Sequence, residues 1–491
     1  MRRQQQRHSK RLWFTSSAST ALAVSEGTAY SGLYECEVTD VNADLRKFMK
    51  SGNNSEQQPS YCQNPRTLAN GWERDGRYHF GVPLYNVQLH QVQADVASTD
   101  NNGDDTQNQH RQPEYVYART YVKEHKSWEI VRARIPELLA TDTKTSSAIS
   151  ADYNHMQFQS FFRSPLQFDY NECDFDCCDR EQGNAYALIT PKTFTIAKNG
   201  DVFIAWDGFY KDCTIDEDKG KLQWTIGISK LDTTNSACSL SGSNYDNKAN
   251  FVECTDPIAI VYQTHESHSV TMPHGGLAVL EPQAAKDVQE RTFLLSVLRH
   301  SDTKGEVHND LWAFKEQTML QTVATTPVDS LFLDEVVEDG GTMRLHRASN
   351  DSQSTTSKFQ LCRSLFNKGI ACSVIAWDEQ TNNVSMASEP KDFLSTPQVE
   401  SFCKLDESAH NQKHSSHLER LTTVATGFDV LWNDEYGFPE RVFFGCWGTE
   451  GGNGNFGTVD GDGNLVQTLG GAYPGSVLLL PSHSSYHATS S

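Results

Sequence analysis

Short strand-like segments follow one another along this chain almost without helical periodicity, and this pattern limits its fold more than any other feature. Segments such as "GDVFIAWDG", "RTFLLSVLRH" and "FDVLWNDE" each hold four to eight apolar, β-branched or aromatic residues, which is the composition of a β-strand. Gly, Asn, Asp or Pro bounds each segment, and these residues favour turns. "NADLRKFMKSG" at 42–52 is one short helical candidate. The sequence therefore predicts an all-β protein.

A recurring phrase favours a β-propeller over a sandwich or a barrel. A strand ends in Ala-Trp-Asp at 205–207 and again at 376–378, and a third ends at Trp432. One four-stranded blade cannot bury its faces alone, so several blades must close into a ring. We predict a single propeller over residues 24–491, with seven blades of about 67 residues each. Six or eight blades are alternatives, and the polar stretch near 93–112 is predicted to be a loop insertion.

Two family resemblances point to the same fold. Residues 423–457 resemble one repeat of the regulator-of-chromosome-condensation propellers, through Ala425, Gly427, Trp447, Gly448, Phe456 and Gly457. "CTIDEDKGKLQWTIGISK" resembles the Asp-box turn of sialidase-type propellers, with stretched spacing, through Thr214, Asp216, Gly220 and Trp224. Both resemblances imply a propeller, and neither transfers a catalytic residue.

The charge balance narrows the choice of partners. The chain has 42 Lys and Arg against 63 Asp and Glu, a formal net charge of −21. Such a surface repels phosphate backbones and anionic lipid, so nucleic acid and membrane are not expected as partners. No apolar run approaches the ~20 residues of a membrane helix. A local basic groove for an anionic polymer stays compatible with this charge, and we expect a monomer.

The N-terminus has the features of a targeting signal. Residues 1–23 carry five Lys or Arg before residue 12 and then an acid-free stretch that ends in Ala21-Leu22-Ala23. The small-x-small ending suits cleavage after Ala23, and "SKRLWF" resembles a twin-arginine export signal with Lys in place of the first Arg. Residues 1–23 are therefore interpreted as an export signal, with a basic tail as the alternative. The corresponding location is secreted or periplasmic.

Cysteine usage agrees with export and leaves a metal site open. There are twelve cysteines, and an even number fits disulfides in an oxidising compartment. In "NECDFDCCDREQG", Cys173, Cys177 and Cys178 have three possible states: disulfides to different partners, a structural zinc site completed by a distant His, or free thiols.

A second metal hypothesis comes from "DGDGN". Asp460, Asp462 and Asn464 alternate as oxygen ligands do in calcium loops. Leu465 stands where such loops carry a glycine, so a plain tight turn is the alternative. No organic cofactor is predicted, and zinc and calcium stay possible structural ions.

The densest cluster of chemically capable residues lies in "YQTHESHSVTMPHGG" at 262–276 and in "LRH" at 298–300. The candidate catalytic residues are Tyr262, His265, His268, His274, Arg299 and His300. A His or Tyr base beside a cation that neutralises a carboxylate is what β-elimination from a uronic acid requires. Some secreted polysaccharide lyases, ulvan lyases among them, are similar in being propellers of about this size. A metal site of the first three histidines, or plain structural histidines, are the other interpretations.

The leading functional hypothesis is therefore an exported lyase that cleaves an acidic polysaccharide. One alternative is a sialidase-like hydrolase, for which Arg344, Arg347 and Arg363 are available but unassigned. Another is a non-catalytic propeller that binds a glycan or a protein, including an intracellular partner. Phosphate-loop, Gly-x-Ser-x-Gly and His-Glu-x-x-His motifs do not occur, which disfavours nucleotide, α/β-hydrolase and zincin chemistry.

Overall fold

The computed structural model describes about half of the chain, in strands and the short turns between them. The described residues are 10–16, 32–38, 62–69, 71–74, 77–80, 84–90, 115–122, 127–135, 156–163, 184–212, 223–231, 255–263, 271–281, 291–301, 306–315, 318–328, 341–347, 356–365, 369–394, 425–432, 439–446, 456–461, 465–468 and 474–480. They contain strands and no α-helix, which confirms the all-β prediction. Accordingly, they include no helix that could cross a membrane.

Three sheets come from the first half of the chain, joined by one strand from its C-terminus. Sheet A has the order β27 (Pro474–Leu480), β1 (Lys10–Ser16), β2 (Gly32–Val38), β3 (Cys62–Ala69). Sheet B has the order β5 (Arg77–Phe80), β4 (Gly71–Arg74), β9 (Phe158–Arg163), β8 (Ser127–Arg134), β7 (Tyr115–Val122), β6 (Leu84–His90). Sheet C has the order β10 (Asn184–Ile196), β11 (Val202–Asp212), β12 (Gln223–Leu231), β13 (Thr255–Gln263).

The second half forms three more sheets in chain order. Sheet D has the order β14 (Thr271–Leu280), β15 (Thr292–Ser301), β16 (Glu306–Lys315), β17 (Thr318–Val328). Sheet E has the order β18 (Met343–Arg347), β19 (Thr356–Leu365), β20 (Gly369–Asp378), β21 (Asn383–Met386), and β22 (Lys391–Leu394) also pairs with β20. Sheet F has the order β23 (Ala425–Trp432), β24 (Pro439–Cys446), β25 (Phe456–Asp460), β26 (Leu465–Thr468).

Each sheet packs face to face on the sheets next to it in the chain. Among the described residues, one apolar core lies between each consecutive pair of sheets from A to F. On β11, Ile204 and Trp206 belong to the core shared with sheet B, whereas Phe203 and Ala205 belong to the core shared with sheet D. Because neighbouring residues on a strand point to opposite faces, "VFIAW" is apolar throughout.

One edge strand of each of the six sheets contacts an edge strand of another sheet. Contacts join β6 to β10, β10 to β14, β14 to β18, β18 to β23, β23 to β27, and β27 back to β6. These six edge strands are called the inner strands below. Through these strands non-consecutive sheets come together, as in the contacts of β23 with β6 and with β27.

The Trp-ending phrase does not mark equivalent positions in these sheets. Trp206 lies on the second strand of sheet C, Trp377 on the third strand of sheet E, and Trp432 on the first strand of sheet F. The similarity of the three segments reflects strands that are buried on both faces. It is not a structural repeat.

The first strand lies inside the segment interpreted as an export signal. β1 pairs with both β2 and β27, so it is an interior strand of sheet A. Leu12 and Trp13 are each 1% exposed, and the Trp13 indole Nε1 donates a hydrogen bond of 2.8 Å to Glu35 Oε2. Cleavage after Ala23 would remove this strand from the sheet.

The cysteines include one disulfide among the described residues. Cys362 on β19 faces Cys372 on β20, with an S–S distance of 2.03 Å, and both are buried in the core between sheets E and F. This bond fits the expectation of disulfides. Cys173, Cys177 and Cys178 lie outside the described residues, so their state stays a prediction.

A charged network ties the β10–β11 turn of sheet C to sheet D. In this turn Gly200 has a φ of +89°, as expected for the glycine of "NG". Asp201 accepts hydrogen bonds from Arg291 Nη1 at 2.8 Å and from Asn199 Nδ2 at 2.9 Å, and it lies 3.1 Å from Lys230 Nζ. Burial acts to raise the pKa of Asp201, but these partners outweigh burial and hold the pKa below its ordinary value.

Deletion of residues 1–23 is expected to destabilise the protein far more than deletion of residues 1–9. The longer deletion removes β1 with Leu12 and Trp13, and loss of one buried Trp side chain costs about 3–5 kcal/mol, a large part of a typical stability. Thermal unfolding of both truncated proteins measures the effect. A stable, folded protein that starts at residue 24 would contradict the place given to β1.

Replacement Asp201→Asn is expected to lower stability at neutral pH and to have little effect in acid. Because the folded-state pKa is below the unfolded one, the ionised carboxylate stabilises the fold above about pH 4, and this contribution is lost as pH falls further. Urea unfolding from about pH 6 to about pH 3 measures the difference. Asp392→Asn, at an exposed position of β22, is the control. A wild-type-minus-variant difference that grows in acid would contradict the network.

Candidate functional site

The predicted catalytic cluster is spread over two sheets. Tyr262 lies on β13, the fourth strand of sheet C, whereas His274 lies on β14 and His300 on β15 of sheet D. The side chains of these three residues are not described, and His265 and His268 lie outside the described residues altogether. Whether the cluster converges therefore stays a prediction.

Arg299 has a described side chain, and that side chain has a structural partner. Its Nε donates a hydrogen bond of 2.8 Å to Asp310 Oδ2. The Arg299 side chain is 42% exposed and that of Asp310 is 1% exposed. Asp310 thus holds the arginine that was predicted to neutralise a substrate carboxylate.

His274 precedes a bulge with a clear backbone requirement. Gly275 and Gly276 have φ values of +94° and +104°, and the pairing of β14 with β15 shifts register here. A Cβ on either glycine would collide with sheet E or with Ser296. Gly275 and Gly276 therefore serve the close packing of sheet D on sheet E.

The two predicted metal sites fall largely outside the described residues. Asp460 ends β25, but Asp462 and Asn464 are not described, and neither are the three clustered cysteines. Among the residues that are described, no group of three His, Cys, Asp or Glu side chains has the arrangement of a metal site. The zinc and calcium hypotheses stay predictions.

The three arginines considered for a sialidase-like site have separate partners. Arg344 pairs with Asp429, Arg347 pairs with Glu379, and Arg363 donates to hydroxyl groups of sheet D. Arg344 and Arg347 are three residues apart on β18, so they point to opposite faces of sheet E. Each of the three arginines is therefore bound to a different set of partners.

Arg344 joins three inner strands. Its Nε donates a hydrogen bond of 3.0 Å to Asp429 Oδ1 on β23 of sheet F. Its Nη2 donates one of 3.3 Å to the Val87 carbonyl on β6 of sheet B. The side chains of Arg344 and Asp429 are 15% and 12% exposed, so the ion pair is mostly shielded and yet open to solvent.

An aromatic stack lies beside this ion pair. His346 is two residues after Arg344 and shares its face of β18. The His346 imidazole stacks on the Trp432 indole, with ring centroids 5.3 Å apart and an interplanar angle of 13°. Both side chains are half-buried, and Trp432 also packs against the core between sheets E and F. Arg344, His346, Asp429 and Trp432 are called the inner-strand site below.

The inner-strand site combines three chemical capacities. A half-buried indole at a surface can pack against a sugar ring or another flat apolar surface. A guanidinium binds a carboxylate through two parallel hydrogen bonds. An imidazole transfers protons near neutral pH. The Asp429 carboxylate keeps the Arg344 guanidinium in position.

The sequence pattern pointed to Arg344 without a role and to Trp432 only as the end of a strand, and it did not predict His346 or Asp429 as site residues. A signal was available: Arg344 and His346 stand at alternate positions of "MRLHR", and Asp429 interrupts the otherwise apolar "FDVLW". What joins the two segments is the contact of β18 with β23, which no local pattern reveals.

The comparisons with known proteins do not extend this description. No protein-family model and no curated protein matches the chain. A solved structure titled "Hypothetical protein from leishmania major" is 9% identical, with a TM-score of 0.25, and the match covers 87% of this chain and 98% of that one. A likeness at this TM-score carries no argument about fold or function. The function of this chain therefore has to be argued from its own residues.

Removal of the carboxylate by Asp429→Ala is expected to destabilise the protein by about 1–3 kcal/mol, because it leaves a mostly buried guanidinium without its charged partner. Glu379→Ala is the matched control, since it removes the more exposed partner of Arg347 and should cost about 0–1 kcal/mol. Urea unfolding measures both values. An equal or larger loss in the control would contradict the assignment of Arg344 and Asp429 as the tighter pair.

Proposed function

We propose that the chain is a β-propeller of six blades, one from each sheet. Three observations on the described residues support this architecture: an apolar core between each consecutive pair of sheets, the succession of contacts among the inner strands, and the pairing of β1 with β27. A C-terminal strand that completes the first sheet would close a ring of blades, because it holds the two ends of the chain in one blade. Six described sheets favour six blades over the predicted seven.

We further propose that this propeller binds and cleaves an acidic polysaccharide at the inner-strand site. The observation that carries the proposal is the Arg344 side chain, which bridges the inner strands β23 of sheet F and β6 of sheet B beside the His346–Trp432 stack. In a propeller the inner strands line the central axis, where substrates reach residues from several blades.

The proposed reaction is β-elimination from a uronic acid. Trp432 stacks on a sugar ring, and Arg344 exchanges part of its contact with Asp429 for the uronate carboxylate. With that carboxylate neutralised, His346 takes the C5 proton, the C4–O bond breaks, and the leaving oxygen takes up a proton from solvent or from His346. The products are a chain with a C4–C5 double bond and a chain with a new hydroxyl end.

The net charge of −21 opposes the binding of an acidic polysaccharide, which is also negatively charged. Long-range repulsion slows the approach of an anionic polymer and weakens as salt rises. Binding then depends on local contacts with Arg344 and Trp432. The disulfide between Cys362 and Cys372 supports an oxidising compartment, and export stays a proposal.

Non-catalytic glycan binding is the second candidate function, and the half-buried aromatic stack is the observation that favours it. Aromatic faces bind sugars without any proton transfer. The same variants separate binding from cleavage.

The test follows the ultraviolet absorbance of the new double bond with a panel of uronic-acid polysaccharides, together with polymer binding in affinity gels. His346→Ala is expected to slow cleavage by about 10²–10⁴-fold and to keep much of the binding, whereas Trp432→Ala weakens binding. Arg347→Gln is the matched control, because Arg347 is on the same strand with its own carboxylate partner, and it should leave both activities unchanged.

Three outcomes decide the proposal. Cleavage that depends on His346 and Arg344 and not on Arg347 supports the lyase. Binding that depends on Trp432, without cleavage of any polymer, leaves the glycan-binding function. Cleavage that survives His346→Ala but is lost in His265→Ala, His268→Ala or His274→Ala would move the site to the histidine segment and overturn the inner-strand assignment.

A further inference from the structure

Strand β6 has an irregularity beside the inner-strand site. The pairing of β6 with β7 passes from Tyr85 directly to Gln88, whereas a single residue, Ala118, lies between their partners on β7. Asn86 and Val87 therefore lie opposite one residue, which is the arrangement of a β-bulge. Bulges change the direction in which a strand presents its groups, and they are common next to active sites.

Asn86 has a backbone conformation that few residues adopt. Its φ is +49°, in the left-handed region, where Asn is tolerated and most other side chains are disfavoured. Its Nδ2 donates a hydrogen bond of 2.8 Å to Thr193 Oγ1 on β10, and its Oδ1 accepts one of 3.4 Å from Gln88 Nε2. Asn86 is 4% exposed and Thr193 is 1% exposed. Contacts within sheet B and with sheet C thus fix the bulge.

The bulge supplies the second partner of Arg344. The Val87 carbonyl accepts a hydrogen bond of 3.3 Å from Arg344 Nη2, and the Asp429 carboxylate accepts one of 3.0 Å from Arg344 Nε. The two acceptors come from different sheets and bind different nitrogen atoms, so together they fix the plane of the guanidinium. Within the part of the chain that the structure describes, Arg344 Nη1 has no hydrogen-bond partner, and it is the nitrogen left for a ligand.

The Val87 carbonyl has a particular task when a substrate binds. As a uronate carboxylate replaces part of the contact with Asp429, the carbonyl is the partner that keeps Arg344 in place. Without it, a long side chain has to be immobilised at the expense of binding free energy. Recognition of the carboxylate depends on Arg344 and stacking on the sugar depends on Trp432, so a displaced guanidinium affects acidic sugars alone.

We propose that Asn86 is a positioning residue for Arg344. Its left-handed conformation forms the bulge that directs the Val87 carbonyl to the guanidinium, and the inner-strand site thereby prefers a carboxylate-bearing sugar to a neutral one. Asn86 acts through Arg344 and does not itself contact the sugar. The preference for acidic sugars rests on the function proposed above, whereas the effect of Asn86 on Arg344 does not.

The test measures binding of a uronic-acid polysaccharide and of its carboxyl-reduced, neutral form in affinity gels. Asn86→Ala and Asn86→Gly both remove the amide and its bond to Thr193, but only glycine adopts a positive φ without steric cost. Asn86→Ala should bind the acidic polymer about 3–10-fold more weakly than Asn86→Gly, and both should bind the neutral polymer equally. Equal binding of the acidic polymer by the two variants, or equal losses for both polymers in Asn86→Ala, overturns the proposal.

A spectroscopic measurement tests the positioning of Arg344 without any substrate. In protein with isotope-labelled arginine, the nuclear magnetic resonance signal of Arg344 Nε–H is identified by its loss in Arg344→Lys. The signal should shift or broaden in Asn86→Ala and stay unchanged in Asn86→Gly. If Asn86→Ala does not fold, Thr193→Val, which removes the hydroxyl bound to Asn86, should cause a smaller change of the same kind.

The two measurements separate this proposal from the proposed function. An Arg344 signal that is the same in every folded variant contradicts the role of Asn86, even if the protein cleaves an acidic polymer. A signal that depends on Asn86, in a protein that binds neither polymer, supports the positioning of Arg344 and contradicts the proposed function alone.

Discussion

Burial of both faces of each strand is the constraint on which the rest of this structure depends. Neighbouring residues on β11 belong to two different cores, one shared with sheet B and one shared with sheet D, so removal of either neighbouring sheet would expose a row of apolar side chains. No sheet in such an arrangement is stable alone. The pairing of β1 with β27 is therefore important for stability, because it joins the two ends of the described chain into one sheet.

Several polar side chains form hydrogen bonds from one sheet to another. The candidate functional site consists in part of such side chains. Arg291 reaches from sheet D to Asp201 of sheet C, Arg344 from sheet E to Asp429 of sheet F, and Arg119 from sheet B to carbonyl groups of β10. Such directional bonds set the register of one sheet on the next, which apolar contacts alone do not do. Arg344 differs from Arg291 because it reaches a third sheet. Arg363 differs from both because its described hydrogen-bond partners are hydroxyl groups.

Local patterns predicted the strands well, and the reasons are physical. Apolar and β-branched runs between turn residues correspond to β11, β15, β20 and β24, and "NG" forms the turn at Gly200. Sheet order could not be predicted, because β27 and β1 are far apart in the chain and no periodicity links them. The basic, mildly apolar N-terminus has the composition of an export signal when its sequence is considered alone. In the folded chain its Leu12 and Trp13 are instead buried on β1, which pairs with β27. The inner-strand site was missed for the same reason, since Arg344 and Asp429 are 85 positions apart.

The most direct test of this account is a cross-link between the two ends of the described chain. Leu12 faces Leu479 across β1 and β27, and facing residues of antiparallel strands lie within reach of a disulfide. Oxidation of a Leu12→Cys, Leu479→Cys variant should join the two peptides, as read by mass spectrometry of a digest. A Leu12→Cys, Leu478→Cys variant should not, because its second cysteine points to the other face. Equal cross-linking in both variants, or none in either, would contradict the closure of sheet A by β27.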